Sequence, residues 1–322
     1  MILAVSRIQN RLSPAQGYRG RFAPSPTGPL HAGSLVAALG SWLDARKHGG
    51  KWLVRIEDID QPRSVQGADQ RILAQLLACG LQWDEEPVWQ SQRHKLYQEA
   101  LEALNQHQAI YPCTCSRLAI ANALLALGRA PARHQEIVYP GTCRPSIIPS
   151  YRPLSSDYST SAWRLALPND LQIEFNDQAL GVQYQSLSRD VGDFILKRSD
   201  GFFTYQLAVV VDDAAQGITH IVRGQDLLSN TARQIYLQTQ LGYSSPQYRH
   251  LPLVLDEYGE KLSKQTLASQ INTENVNHAL AALRQAAIHL GLQGLPDSPA
   301  TTIGEWLLAA TQAWPTQTIT FS

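Results

Sequence analysis

Apolar positions along this chain follow two rhythms that alternate. Leu35, Leu39, Trp42 and Leu43 recur at helical spacing, and Arg46, Lys47 and His48 precede a stop at Gly49-Gly50, which predicts one helix. Lys51 to Ile56 is a compact β-favouring run, as in a buried strand. An amphipathic helix follows over residues 67 to 80, with Ile72, Leu73, Leu76 and Leu77 on one face, and another from about Tyr97 to Gln106. Further on, Trp163–Leu167, Leu171–Phe175 and the segment after Asp193 read as short strands, and Phe202 opens an apolar run that closes on Asp212-Asp213. Thr219 to Asp226 is a core-type strand followed by a helix with Ile235 and Leu237; two helical patterns, Val276–Leu290 and Trp306–Ala313, come last. Strand, helix, strand in succession is the right-handed crossover unit of a parallel sheet, and ligands gather at the carboxyl ends of such strands.

Composition narrows the class. The 322 residues are 44% hydrophobic and 17% charged, which suits an ordinary globular protein with a large core. Lys plus Arg equals Asp plus Glu at 27 each, so any contact with nucleic acid depends on a local patch. No apolar run reaches the roughly 18 residues of a membrane span. The N-terminal apolar stretch is short and has no cationic leader, so the expectation is a cytoplasmic protein, with residues 1–17 as a loose extension.

Chemistry concentrates in Arg21-Phe-Ala-Pro-Ser-Pro-Thr-Gly-Pro-Leu-His-Ala-Gly-Ser34. Pro24 and Pro26 break regular structure, Gly28 permits a sharp reversal, and His31 to Ser34 open the first helix. A helix N-terminus presents free amide donors and a positive dipole end, and Gly33 lets a phosphate or flat ring approach the backbone. His31 is then either a donor to phosphate or only the helix cap. Glu57 and Asp60 follow the strand 51–56, where carboxylates are either site residues or turn-formers. Glycine-triplet and Walker-type loops are absent.

Three of four cysteines gather in Cys113-Thr-Cys115 and Cys143, a spacing that suits thiolates converging on zinc. Tyr139 or His134 is available as the fourth ligand. Arg223 ends a strand, where its guanidinium can either grip a carboxylate with two charge-assisted bonds or pair with Asp226. Lys261-Leu-Ser-Lys264-Gln265 reads by itself as a solvated loop.

Taken together these stretches resemble the class I aminoacyl-tRNA synthetases. His31 and Gly33 match that family's ATP-binding "HIGH" element, with Ala32 and Ser34 departing from its second and fourth letters, and Lys261 to Gln265 is similar to its "KMSKS" loop. Residues 21–28 and Arg55–Asp60 resemble the glutamyl branch. The resemblance implies catalytic roles for His31 and Lys264, and ATP binding by Pro24, His31, Gly33, Ser34, Lys261, Leu262, Ser263 and Lys264. It also implies glutamate binding by Arg21, Phe22, Ala23, Ser25, Glu57, Tyr205 and Arg223. The glutamyl-queuosine branch carries a Cys-x-Cys…Tyr-x-x-x-Cys pattern, which implies one structural Zn²⁺ on Cys113, Cys115, Tyr139 and Cys143. Mg²⁺ is implied with ATP.

The fold expected is α/β: a Rossmann-type catalytic domain, a parallel sheet with helices on both faces, in halves 18–110 and 191–268. Residues 111–190 form an inserted zinc-binding, acceptor-like subdomain, and 269–322 a short helical C-terminal region. Only 57 residues follow Gln265, too few for the anticodon-binding domain of a full glutamyl-tRNA synthetase. The truncated branch that this resembles activates L-glutamate with ATP and transfers it to the queuosine base at the wobble position of tRNA(Asp). A monomer without membrane attachment is expected. A minimal enzyme charging tRNA(Glu) and a non-catalytic RNA-binding paralogue are the rival readings.

Overall fold

The structure is a computed structural model that describes residues 7–9, 17–129, 137–148, 160–254 and 270–315. The first half runs β1 (Arg7–Gln9), β2 (Arg19–Phe22), α1 (Ala32–Lys47), β3 (Lys51–Ile56), α2 (Ala68–Ala78), β4 (Val88–Trp89) and α3 (His94–Gln106). Then come β5 (Ile110–Cys113), α4 (Arg117–Ala126), β6 (Ala162–Leu165), β7 (Gln172–Asp177), β8 (Gly181–Ser186), α5 (Leu187–Asp190) and β9 (Phe194–Lys197). The last part holds α6 (Tyr205–Ala215), β10 (His220–Gly224), α7 (Leu228–Leu241), β11 (Gln247–Leu251), α8 (Val276–His289) and α9 (Ile303–Ala313).

Parallel pairing dominates the middle of the molecule. β2, β3 and β4 pair in parallel, as do β10 and β11, and a backbone bond from Thr219 to Arg19 (2.9 Å) sets β10 beside β2. The carboxyl ends of β2, β3, β10 and β11 therefore open on one side, where crossover sheets place their ligands. β5, β6 and β9 form a separate antiparallel sheet.

Two expectations change. The N-terminal extension is not loose throughout, because Arg7–Gln9 pairs in parallel with Gln172–Glu174 of β7 and covers backbone groups that a sheet edge would leave open. β7 in turn meets β11 at Tyr248↔Asp177, so the stretch assigned to the insertion contributes to the sheet of the catalytic region. One continuous core joins Leu165, Ile173 and Phe175 to Val209, Ile235 and Tyr248.

Local chemistry explains the elements that carry the site. Pro24 and Pro26 cannot donate, but their carbonyls accept from the amides of Glu57 (3.0 Å) and Val65 (2.8 Å), which fixes the loop after β2. Gly28 takes φ 144°, a conformation closed to most side chains. α1 starts with a capping box: the His31 side chain accepts from the Ser34 amide (3.4 Å) while the Ser34 hydroxyl accepts from the His31 amide (2.8 Å). It ends on Arg46 and Lys47, cations that suit a helix C-terminus. The C-terminal helices pack back on α1, with Trp306 and Trp314 buried and the Trp314 indole donating to Asp44 (2.7 Å). Among the described residues no helix is long and apolar enough to cross a membrane.

Candidate active site

A cavity of about 500 Å³ lies at the carboxyl ends of the parallel strands. The expected residues of the first half, Arg21 to Ser25, His31, Gly33, Ser34 and Glu57, line it together with Tyr205 and Arg223 from the second half. Residues as far apart in the chain as Arg21 and Arg223 thus face one space. Lys261, Leu262, Ser263 and Lys264 lie outside the described residues, as does His134.

One end of the cavity is ionic. Arg21 and Arg55 are buried and share Asp213: Arg21 Nε donates to Oδ1 at 3.0 Å and Arg55 Nη1 at 2.8 Å. Arg55 also reaches Glu57 at 3.3 Å. Burial opposes ionisation of Asp213, yet the two guanidinium groups outweigh it and hold the carboxyl below its usual range. Glu57 goes the other way, because burial raises its pKa more than Arg55 and Arg21 lower it. A buried carboxylate of that kind gains from a cation that replaces its lost water.

Arg223 lines the same cavity. Its Nη1 donates to Gln234 Oε1 (2.9 Å), its Nη2 to Thr231 Oγ1 (2.9 Å) and its Nε to His250 Nε2 (3.2 Å), while the Tyr205 hydroxyl lies 3.5 Å from Nη1. These four partners are neutral and hold the fork in place, and a guanidinium so held suits an incoming carboxylate. Burial raises the Tyr205 pKa and outweighs the lowering by Arg223, which keeps the phenol a donor.

The N-terminus of α1 lines the cavity as well. The two readings of His31 are compatible, since the same imidazole caps the helix and lines the cavity. Because Nδ1 accepts from the Ser34 amide, a neutral ring carries its proton on Nε2.

The cysteine cluster is distant in role. Cys113, Cys115 and Cys143 place their sulfur atoms within 4.8 Å of one another, and the Tyr139 hydroxyl lies 3.4 Å from the Cys113 sulfur and 3.6 Å from that of Cys115. A tetrahedral zinc with bonds of ~2.3 Å to sulfur and ~2.0 Å to oxygen has sulfur–oxygen edges of ~3.5 Å. The donor set fits. Burial raises the Tyr139 pKa, with hydrogen bonding from Cys113 adding to it, so the phenol is neutral by itself and a cation supplies the reason to ionise.

Sequence reading did not find the partners of these residues. Asp212-Asp213 stood out as paired carboxylates, but nothing marked Arg55 as their partner. Asp212 lies 3.8 Å from Arg55 Nε and also accepts from Arg93 (2.6 Å), Gln90 (2.8 Å) and Tyr97 (2.8 Å), which ties α3 to α6.

Comparison with known proteins agrees with this geometry. Residues 18–300 match the model of the class I tRNA synthetase (E and Q) catalytic domain. A protein of Albidiferax ferrireducens named glutamyl-Q tRNA(Asp) synthetase is 54% identical over 312 residues, covering 92% of this chain and 98% of that protein. A Burkholderia cenocepacia protein of the same name is 54% identical over 300 residues, with 92% and 96% covered. Among solved structures, a glutamate tRNA ligase of Elizabethkingia meningosepticum in complex with its amino acid superposes with a TM-score of 0.72 at 26% identity. Its relative from Elizabethkingia anophelis gives 0.71 at 26%. The chain covers 64% and 65% of the lengths of those two ligases. The chain therefore belongs to the class I tRNA synthetases of the E and Q type, and within them to the glutamyl-Q tRNA(Asp) synthetase family of ligases.

Proposed function

We propose that this enzyme activates L-glutamate with ATP and transfers it to the queuosine base of tRNA(Asp), acting in the cytoplasm as a monomer. The observation that carries the reading is that one cavity is lined by Glu57, a buried carboxylate suited to the α-ammonium, and by Arg223, a fork held by Gln234 and Thr231 and suited to the side-chain carboxylate. Held between them, and with Tyr205 donating to the same carboxylate as Arg223, glutamate presents its α-carboxylate toward the α1 N-terminus.

The α-carboxylate oxygen attacks the α-phosphorus of ATP, the bond to the bridging oxygen breaks, and pyrophosphate leaves with that electron pair. Amides at the start of α1 receive the phosphates, Gly33 allows their approach, and His31 donates from Nε2 to the growing negative charge. Lys264 is assigned the pyrophosphate side. Mg²⁺, bound with ATP, neutralises phosphate charge. A hydroxyl of the cyclopentene-diol then attacks the acyl carbon of glutamyl-adenylate, AMP departs, and its phosphate takes the hydroxyl proton. Cys113, Cys115, Tyr139 and Cys143 would hold zinc, which would supply a structural tie between the end of β5 and residues 139–143.

The activation step is tested by glutamate-dependent exchange of pyrophosphate into ATP; glutamine should support little or none. Exchange driven equally by glutamine would refute the assignment of Arg223.

Two further outcomes follow. In kcat/KM for glutamate, which reports the free enzyme, activity is expected to fall with decreasing pH through a limb above the ordinary glutamic acid value of about 4.3. The sign follows from Glu57: protonation removes the charge that holds the ammonium. Glu57→Gln should lower kcat/KM at neutral pH and abolish that limb. For the cysteine cluster, metal analysis of the purified protein should find about one zinc per chain, and Cys115→Ala should lose it together with thermal stability. Full zinc retention in that variant would remove Cys115 from the ligand set.

A further inference from the structure

Arg223 does not orient itself. It is the register partner of His250 across the parallel pair β10–β11, so their side chains share a face, and its Nε donates to His250 Nε2 at 3.2 Å. His250 Nδ1 in turn lies 2.6 Å from Asp177 Oδ2, and all three residues are at most 5% exposed. Asp177 is the last residue of β7. Its other oxygen, Oδ1, accepts from the amides of Ala179 (2.9 Å), Leu180 (3.0 Å) and His250 (3.3 Å).

This set of bonds favours one tautomer of the neutral ring, with the Thr231 hydroxyl, also 3.2 Å from Nε2, able to donate to it. Oδ1 is occupied by three amide donors, so Oδ2 is the acceptor for the imidazole, and the ring proton sits on Nδ1. Nε2 then has a lone pair, which is what the Arg223 N–H requires. A proton on Nε2 would set two donors against each other at 3.2 Å. Burial also lowers the His250 pKa, more than the hydrogen bond to Asp177 raises it, and the charge of Arg223 adds to the lowering, in keeping with a neutral ring.

We propose that His250, its tautomer set by Asp177, is the positioning residue that aims the Arg223 guanidinium at the substrate's side-chain carboxylate and so sustains discrimination against the amide. The inference rests on the reading of Arg223 as the holder of that carboxylate. Neither His250 nor Asp177 is assigned contact with substrate.

Asp177→Asn gives the sharpest test. The three amides still demand an oxygen at Oδ1, so the new NH₂ faces the imidazole, Nδ1 must accept, and the proton moves to Nε2 against Arg223. Pyrophosphate exchange by this variant should show a KM for glutamate raised about tenfold or more, with kcat and the KM for ATP within about threefold of wild type. His250→Phe, which removes the ring's bonds to Asp177, Arg223 and Thr231, should behave alike and lower the preference for glutamate over glutamine. His250→Gln, whose amide oxygen can accept from Arg223, should recover most of the loss. A structural role alone would instead lower melting temperature and kcat in all three without a selective change in KM for glutamate. Unchanged glutamate KM in Asp177→Asn, or His250→Gln no better than His250→Phe, overturns the proposal. Wild-type enzyme showing no glutamate-dependent exchange, or exchange driven equally by glutamine, overturns both it and the reading beneath it.

Discussion

Arg223→Met should reduce kcat/KM for glutamate by roughly thirtyfold to several thousandfold, the 2–5 kcal/mol that follows when one partner of a buried charge pair is removed. Methionine keeps much of the stem volume and takes away the fork. In the free enzyme this leaves Gln234, Thr231 and His250 without their donor; in the complex it leaves the substrate carboxylate desolvated with only Tyr205 to meet it. The loss should appear in exchange kinetics as a raised KM for glutamate, with the KM for ATP near its wild-type value because no contact to the phosphates is touched. A change below about threefold would mean that the cavity does not select its substrate through this residue.

His31→Asn separates the two roles of His31. Asparagine is among the better helix caps, so α1 should keep its start and the protein its melting temperature. The donor near the phosphates is lost, and kcat for exchange should fall by about 10²–10³, as when one preorganised donor is removed from a transition state. His31→Ala should show the same fall in kcat plus a loss of stability of about 1 kcal/mol from the missing cap. If the His31→Asn variant instead retains wild-type kcat, the histidine is a cap and no more.

The residues that line the cavity were legible for local reasons. Pro24, Pro26 and Gly28 constrain the chain before α1, so a strand, a rigid turn and a helix N-terminus could be read in order; Arg223 and Glu57 sit at the ends of runs with clear strand character. What surrounds them was not. The contact of Arg55 with Asp213 spans 158 residues and that of Asp177 with His250 spans 73, and neither leaves a periodic trace in the sequence. The run Leu207 to Val211 is apolar throughout, so it shows neither helical nor strand period; it forms the middle of α6, buried on all sides. β7 falls within residues 111–190, the expected insertion, whereas its parallel pairing with β1 and β11 is decided by strands more than 70 residues away along the chain in either direction. The cysteine cluster was readable as a spacing. That Tyr139 rather than a histidine stands beside the sulfur atoms among the described residues took coordinates to see.

The central claim is that the glutamyl group goes to a modified base and not to a terminal ribose. Its most direct measurement compares labelled glutamate on tRNA(Asp) bearing queuosine, on the same tRNA with unmodified guanosine, and on tRNA(Glu), each incubated with the enzyme, ATP and Mg²⁺. The account predicts acid-precipitable, alkali-labile label on the queuosine form alone. Label on tRNA(Glu), or on the guanosine form at a comparable level, would contradict it.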